Sequence, residues 1–404
     1  MSENKPHPSI AGMAPDELLQ EYHAYLFDDY LPFVNKYVVD HKYGGFLCHT
    51  NSAGKNLSTN KRTWYDGRGI WVYSFLYNNF DRNSEYLTIA EKTVELVLKA
   101  KSKEKEFWPW SYDRQGIDLQ EPADIYGNLF VAEGLAAFAA ASSDWSYWDK
   151  AKSILLQCVE IYDRKDYRYR MEGPGKEIFP VPRVLGHWMI MLRLATGMLR
   201  EKEDREVESI AERCVEMLLD KHLNPEFNLM NEALDKELKP IQGPLSQFVY
   251  IGHAIEALWM VMDEAIRKQD EALYNRASAL FKHHVEVAWD DVYGGVFHGL
   301  DHVDQNIWLL EKVLWAQEEV LTGLMLQIEH AQDPWAYRWF DRVYHHVTQT
   351  YPLKKHGYVL WSIGGDRKVT YTGNEIRVEN YHHPRHLMLN ILKLKRLMGK
   401  PVKG

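Results

Sequence analysis

Apolar residues recur along most of the chain with the three-to-four-residue period of amphipathic helices, interrupted by stretches rich in glycine, proline and polar residues. This pattern predicts an opening helix over 16–37. Helical pairs follow at 62–79 and 84–100, 125–141 and 145–162, 183–202 and 205–221, 247–268 and 272–287, and 310–329 and 334–350. A closing helix is predicted over 383–397, and the opening helix can pair with it. The first helix of each pair carries apolar residues on several faces, as a buried helix should. Short extended stretches lie in the loops, and Tyr43-Gly44-Gly45-Phe46 is echoed by Tyr293-Gly294-Gly295-Val296-Phe297.

A polar residue stands near the start of each first helix: Arg68, Asn128, His187, His253, Glu319 and His382, recurring every 59–66 residues. A fixed period of this size marks a repeated supersecondary unit. Six helical hairpins closed in a ring would bury one helix of each pair and bring the leading ends around one pocket. The expectation is therefore an all-α fold, an (α/α)6 barrel forming a single domain over residues 1–404, with short β segments in the loops at the pocket mouth. An open solenoid would call for capping repeats, which the pattern lacks.

Composition narrows the function classes. With 46% hydrophobic residues, 14 Trp and 24 Tyr, the chain can fill a large core. No window approaches 18 unbroken apolar residues, so no membrane span is expected, and the opening MSENKPHPSIAG has no apolar signal core. Cys48, Cys158 and Cys214 are odd in number and widely spaced, which suits reduced thiols in a cytoplasm better than a disulfide framework. A net charge of −9 argues against nucleic acid or an anionic membrane as the main partner and leaves a neutral sugar open.

The stretch Phe248–Trp259, FVYIGHAIEALW, carries the clearest chemistry. Gly252 reads as a turn residue, and His253 then sits at the positive end of a helix dipole, where the neutral imidazole is favoured and can act as a base. Glu256 lies three residues on, where it can touch the His or a shared ligand. A base, a carboxylate and the Trp259 platform together suit a sugar, whereas a helix-start His bonded only to backbone is the plainer alternative. Arg68, between Trp64 and Trp71 on a buried helix, needs a polar partner. Of the adjacent Glu318 and Glu319, one is expected to be solvated or paired with Lys312, since neighbours on a helix point about 100° apart. His382 precedes Pro384, which should start the last helix.

Several segments resemble the N-acylglucosamine 2-epimerase superfamily. Gly252-His253-Ala254-Ile255-Glu256-Ala257 is similar to its Gly-His-Ala-Ile-Glu-Ala motif, and Tyr381-His382-His383-Pro384-Arg385 to its aromatic-His-x-Pro-Arg motif. Gly67-Arg68-Gly69-Ile70-Trp71 and Lys312 to Glu319 resemble two more, in family order. The resemblance implies an (α/α)6 barrel and a sugar 2-epimerase, interconverting N-acetylglucosamine and N-acetylmannosamine or a related aldose pair. The superfamily also holds cellobiose and mannose 2-epimerases and aldose–ketose isomerases. Ile251 departs from the Pro usual in the N-acylglucosamine branch. Where the cellobiose and isomerase branches carry a third His, the alignment puts Met189 rather than His187, which favours the N-acylglucosamine-like branch.

Epimerisation of an opened aldose requires removing the C2 proton and returning it on the other face, and two histidines suit both roles. His253 and His382 are the expected catalytic pair. Arg68 is expected to stabilise the developing oxygen charge, and Glu256 and Glu319 to orient a His or bind hydroxyls. Trp71, Trp259, Trp315 and Trp361 are candidates for packing against the sugar or for ordinary core, and Asn128 and His187 complete the candidate binding set. The scheme needs no metal and no cofactor. Adjacent histidines such as His382-His383 diverge on a helix, so adjacency alone does not make the paired-ligand face of zinc enzymes. No Walker-type phosphate loop occurs. A homodimer is what the resemblance implies. The rival classes are a glycoside hydrolase using Asp66, Asp124, Asp290 or Asp291, a sugar-binding or protein-interaction module without turnover, and an aldose–ketose isomerase.

Overall fold

A computed structural model of the chain describes residues 8–172, 177–351, 359–363 and 371–402. Helix α1 (Pro15–Ala24) runs through a π-helical segment (Tyr25–Tyr30) into α2 (Leu31–Tyr37). The pairs that follow are α3 (Thr63–Asn79) with α4 (Ser84–Ala100), α5 (Ile125–Ser142) with α6 (Ser146–Asp163), and α7 (Leu185–Glu201) with α8 (Arg205–Glu216). They continue with α9 (Ile251–Lys268) and α10 (Glu271–Ala288), then α11 (Leu314–Ala331) and α12 (Pro334–Thr350), and end with α13 (His382–Leu397).

The first members pack side by side in the order α3, α5, α7, α9, α11, α13 and back to α3, which closes a ring. Their partners form an outer layer, and α1 packs on α13 to complete the sixth hairpin from the two ends of the chain. This is the (α/α)6 barrel expected from the repeat. Inner helices are buried nearly all round: α5 exposes almost nothing over Ile125–Ala136, and α11 is buried from Leu314 to Ile328. By length and composition Ile125–Ser142 could cross a membrane, yet it is packed inside the ring. Outer helices such as α4 bury one stripe, Tyr86, Ile89, Thr93, Val94 and Val97, and wet the other. Outer starts are capped by side chains: Asn83, Asp204, Asp270 and Asp333 accept bonds from the first turns of α4, α8, α10 and α12.

Short β segments lie in the loops, as the sequence predicts. Lys312–Val313, at the head of α11, pairs with Val359–Ile363, which pairs with Tyr371–Val378. The two Gly-Gly stretches are the same device used twice. The Gly44 and Gly294 amides each bond the carbonyl of an aspartate four residues back, at 2.8 Å, and the Asp40 and Asp290 amides return to Gly45 and Gly295 at 2.9 Å. Positive φ at all four glycines (74 to 82°) makes the turn possible. Each aspartate then receives a buried lysine, Lys61 on Asp40 at 3.0 Å and Lys312 on Asp290 at 2.5 Å. Lys312 is thus committed to Asp290, not to a glutamate of α11 as expected from sequence. Cys48, Cys158 and Cys214 are buried and form no disulfide.

Candidate active site

The leading ends of the inner helices surround a cavity of about 270 Å³. Its walls are Arg68 and Trp64 on α3, Tyr126 and Phe130 on α5, Met189 and Ile190 on α7, His253 and Glu256 on α9, Trp315 on α11 and His382 on α13. Loops add Trp110, Tyr169, Tyr250, Arg377 and Glu379.

His253 is the third residue of α9, which begins at Ile251, so Gly252 is inside the helix rather than in a turn. Its role is steric: a Cβ there would lie 2.3 Å from the Trp315 ring. The missing side chain lets the indole lie against the helix, with His253 at 5.9 Å and His382 at 5.1 Å between ring centres. Both imidazoles therefore lie close to one aromatic plate.

Both rings are anchored through Nδ1. His253 Nδ1 is 3.0 Å from Glu232 Oε1, and His382 Nδ1 is 2.8 Å from Glu319 Oε1. An ionised carboxylate accepts the Nδ1 proton, so Nε2 is the nitrogen left for chemistry. Burial works to lower the His253 pKa, but the charge and hydrogen bond of Glu232, with help from Glu256, outweigh it and hold the ring above its ordinary value. The helix dipole expected to keep His253 neutral is thus overridden by the carboxylate beside it. Glu232, in the loop before α9, carries no signal in the sequence that would single it out.

Glu256 does not reach His253. Arg385 Nη2 bonds Glu256 and, at 2.7 Å, Glu319, and lies 3.2 Å from His382 Nδ1. Burial would raise the Glu319 pKa, yet Arg385 and His382 overcome this and hold it well below the carboxylate range. Trp259 Nε1 donates to the second Glu319 oxygen at 2.8 Å. Glu379 caps α13, accepting the Tyr381 and His382 amides at 2.8 Å each. His382 is thus the first helical residue, two positions before Pro384. Its neighbour His383 points outward to Glu318, at 2.5 Å. Glu318 is therefore neither solvated nor paired with Lys312: it is 1% exposed.

Arg68 is held by ring faces, with its guanidinium carbon 4.1 Å from the Phe130 centroid, 4.8 Å from Tyr381 and 5.0 Å from Trp64. Its buried Nε has no hydrogen-bond partner, and burial lowers its pKa. Arg68 thus presents a positive charge at the cavity wall.

Four sequence candidates fall elsewhere. Asn128 is fully buried, accepting the Trp108 amide and donating to the Glu106 carbonyl, and does not line the cavity. His187 sits behind the wall among the rings of Tyr126, Tyr162, Tyr167 and Tyr169, with its pKa pushed down to about 3 by burial. Met189, the residue placed by alignment in the third-histidine position, lines the cavity instead. Trp71 and Trp259 face a separate cavity of about 590 Å³ at the other end of the barrel, with Arg193 and Lys393. The reason is depth: each is the ninth residue of its helix, on the order of 12 Å below the start at 1.5 Å per residue. The Trp361 side chain lies outside the described residues. The hydrolase carboxylates are committed too. Asp66 accepts Tyr112 and the Phe46 amide, Asp124 caps α5, Asp290 holds Lys312 and Asp291 meets Arg342, and none lines the cavity.

A family model described as N-acylglucosamine 2-epimerase (GlcNAc 2-epimerase) matches residues 44–383. The chain belongs to the N-acylglucosamine 2-epimerase family. Bovine (Bos taurus) N-acylglucosamine 2-epimerase is 24% identical over 82% of this chain and 81% of its own. Cellobiose 2-epimerase of Dictyoglomus turgidum is 24% identical over 76% and 80%. Among solved structures, cellobiose 2-epimerase from Bacillus thermoamylovorans B4167 superposes with a TM-score of 0.79 at 16% identity, covering 93% of this chain and 99% of that one. The overlay shows the shared barrel, and membership makes this N-acylglucosamine 2-epimerase family protein a carbohydrate epimerase.

Proposed function

We propose that the protein epimerises C2 of a free reducing sugar, with N-acetylglucosamine and N-acetylmannosamine as the favoured pair. The observation that carries this reading is that His253 and His382 line one cavity beside Trp315, each with Nδ1 anchored to a carboxylate and Nε2 left over. In the open-chain sugar, one Nε2 takes the C2 proton. The electron pair moves into a C1–C2 enolate (an enediolate where C2 carries a hydroxyl) whose O1 charge meets Arg68, and the other imidazole returns a proton to the opposite face of C2. Trp315 supplies a flat surface in the same cavity. Phe130, Met189 and Ile190 give the wall an apolar patch that suits an acyl methyl, which supports the N-acyl substrate over an unsubstituted aldose. The scheme draws on side chains alone. Three buried cysteines outside any disulfide support a reducing, cytoplasmic setting.

A panel of free sugars in heavy water followed by NMR tests the reading. Deuterium incorporated at C2 together with the epimer supports it. Ketose formation would reassign the protein to aldose–ketose isomerisation, and no exchange with any sugar would leave only binding.

A further inference from the structure

Behind the catalytic pair lies another group of ligand-type side chains with no part in the scheme above. Glu318 of α11 meets His383 and His386 of α13. One donor atom from each lies within 4.8 Å of the others. His383 Nδ1 is 2.5 Å and His386 Nδ1 3.6 Å from the same Glu318 oxygen. We propose that Glu318, His383 and His386 bind a divalent transition-metal ion, zinc by ligand type, which locks α11 to α13.

The spacing suits such an ion. In a tetrahedral zinc site with bonds of about 2.0–2.2 Å, donor atoms stand roughly 3.3 Å apart, so the two measured separations bracket the required one. His383 and His386 are one turn apart on the same helical face, and the carboxylate comes from the neighbouring inner helix, which gives three donors from a rigid frame. The group is sealed, at 1%, 3% and 4% exposure. The other Glu318 oxygen is nevertheless buried with no hydrogen bond. A carboxylate oxygen left in this state is costly unless a cation or water meets it.

A contrast with the neighbouring inner cluster adds to this. Glu256, Glu319 and His382 also bring three donors within 4.8 Å, but there Arg385 bonds both carboxylates and supplies the positive charge. Around Glu318, among the described residues, no Lys or Arg forms an ion pair. The fixed cation that Arg385 provides on the inner side has no counterpart on the outer side. None of the three outer residues lines the sugar cavity, so the ion would be a clamp and not a reagent. Glu318 and His383 immediately adjoin Glu319 and His382, so the clamp would fasten the same two helices on the face turned away from the cavity. Binding would exchange the imidazole N–H proton at each coordinating nitrogen for the metal.

The test uses the full chain, produced in zinc-supplemented medium without a metal-affinity tag. Elemental analysis should find roughly one zinc per chain. Replacement by Co2+ should give the visible absorption of a four- or five-coordinate ion. Glu318→Gln and His386→Asn should each drop the metal to background, whereas Glu319→Gln should keep it. His386→Asn leaves the Glu318–His383 bond in place, so it decides the matter if Glu318→Gln does not fold. Wild-type protein that remains metal-free after zinc supplementation and gives no Co2+ band overturns the proposal. So does metal that survives His386→Asn, or metal lost with Glu319→Gln but retained in Glu318→Gln.

Discussion

Glu319–His382 and Glu318–His383 are consecutive residues on the same two helices, bonded at 2.8 and 2.5 Å. A step of one residue turns a helix by about 100°, so the Glu319–His382 pair faces into the barrel and the Glu318–His383 pair faces away from it. The inner pair shares Arg385, Trp259 and an opening to the cavity. The outer pair has a further imidazole where the inner one has a guanidinium, and it is sealed against the rings of Tyr22, Tyr25 and Tyr30. Identical residue types therefore serve different ends, set by the third charged group and by access to a ligand. A carboxylate fixing an imidazole is not by itself a catalytic signature.

The largest expected effects lie on the inner side. His253→Asn and His382→Asn should each reduce epimerisation by about 10³-fold or more, since one face of C2 loses its proton donor. In heavy water one variant should still exchange the C2 hydrogen of only one epimer, and the other variant only that of its partner. A variant that exchanges nothing, beside one that still epimerises, would replace two bases by one. Arg68→Lys should lower kcat by on the order of 10²-fold with the melting temperature little changed, because a point charge cannot hold the oxyanion as the planar fork does. Near wild-type kcat would remove Arg68 from the scheme.

Glu319→Gln against Glu318→Gln separates the two sides directly. The inner change should cost roughly 10-fold or more in kcat/KM. The outer change should leave kcat/KM within about 3-fold and act on stability, losing about 1–3 kcal/mol from a buried hydrogen-bonded charge. Thermal melts beside steady-state kinetics check both, and the reverse order would invert the assignment.

The smallest effect concerns pH. Glu232 raises the His253 pKa, so Glu232→Gln should move the acid limb of kcat/KM to lower pH, because the neutral ring persists further into acid. The sign for stability is opposite. A raised folded-state pKa stabilises fully below the unfolded value of about 6.5, and the gain is lost as pH rises through the folded value. The stability gap between wild type and Glu232→Gln, followed by melts across a pH series, should therefore be widest in acid and close toward alkaline pH.

The barrel was legible because the period of the apolar pattern and the 59–66-residue recurrence are local properties of the chain. Repeat starts led to Arg68, His253 and His382, which line one cavity, and to Glu319, which bonds His382 from behind. The same rule failed for Asn128 and His187, whose rotation on the helix points them into loop backbone and a tyrosine cage. Trp71 and Trp259, candidates for the sugar or for ordinary core, lie at the other cavity, because helix phase alone says nothing of depth along the barrel axis. Partner choice was the least visible layer. Glu232 and Glu379 come from loops, and Arg385 bridges residues 129 and 66 positions away. Only the polar-partner rule for buried charge hinted that such residues must exist.

The pairing of α1 with α13 has a consequence for synthesis. Five hairpins join sequence neighbours and can form as they leave the ribosome, but the sixth waits for the last helix to emerge. His382 heads that helix, so a nascent chain that has not reached residue 382 lacks one of the two imidazoles. Until α13 docks, the flanks of α3 and α11 expose apolar surface at an unclosed seam. The proposed proton-transfer pair is thus completed by the same event that seals the ring, and a chain stalled before it would, on that proposal, be both inert and a client for chaperones.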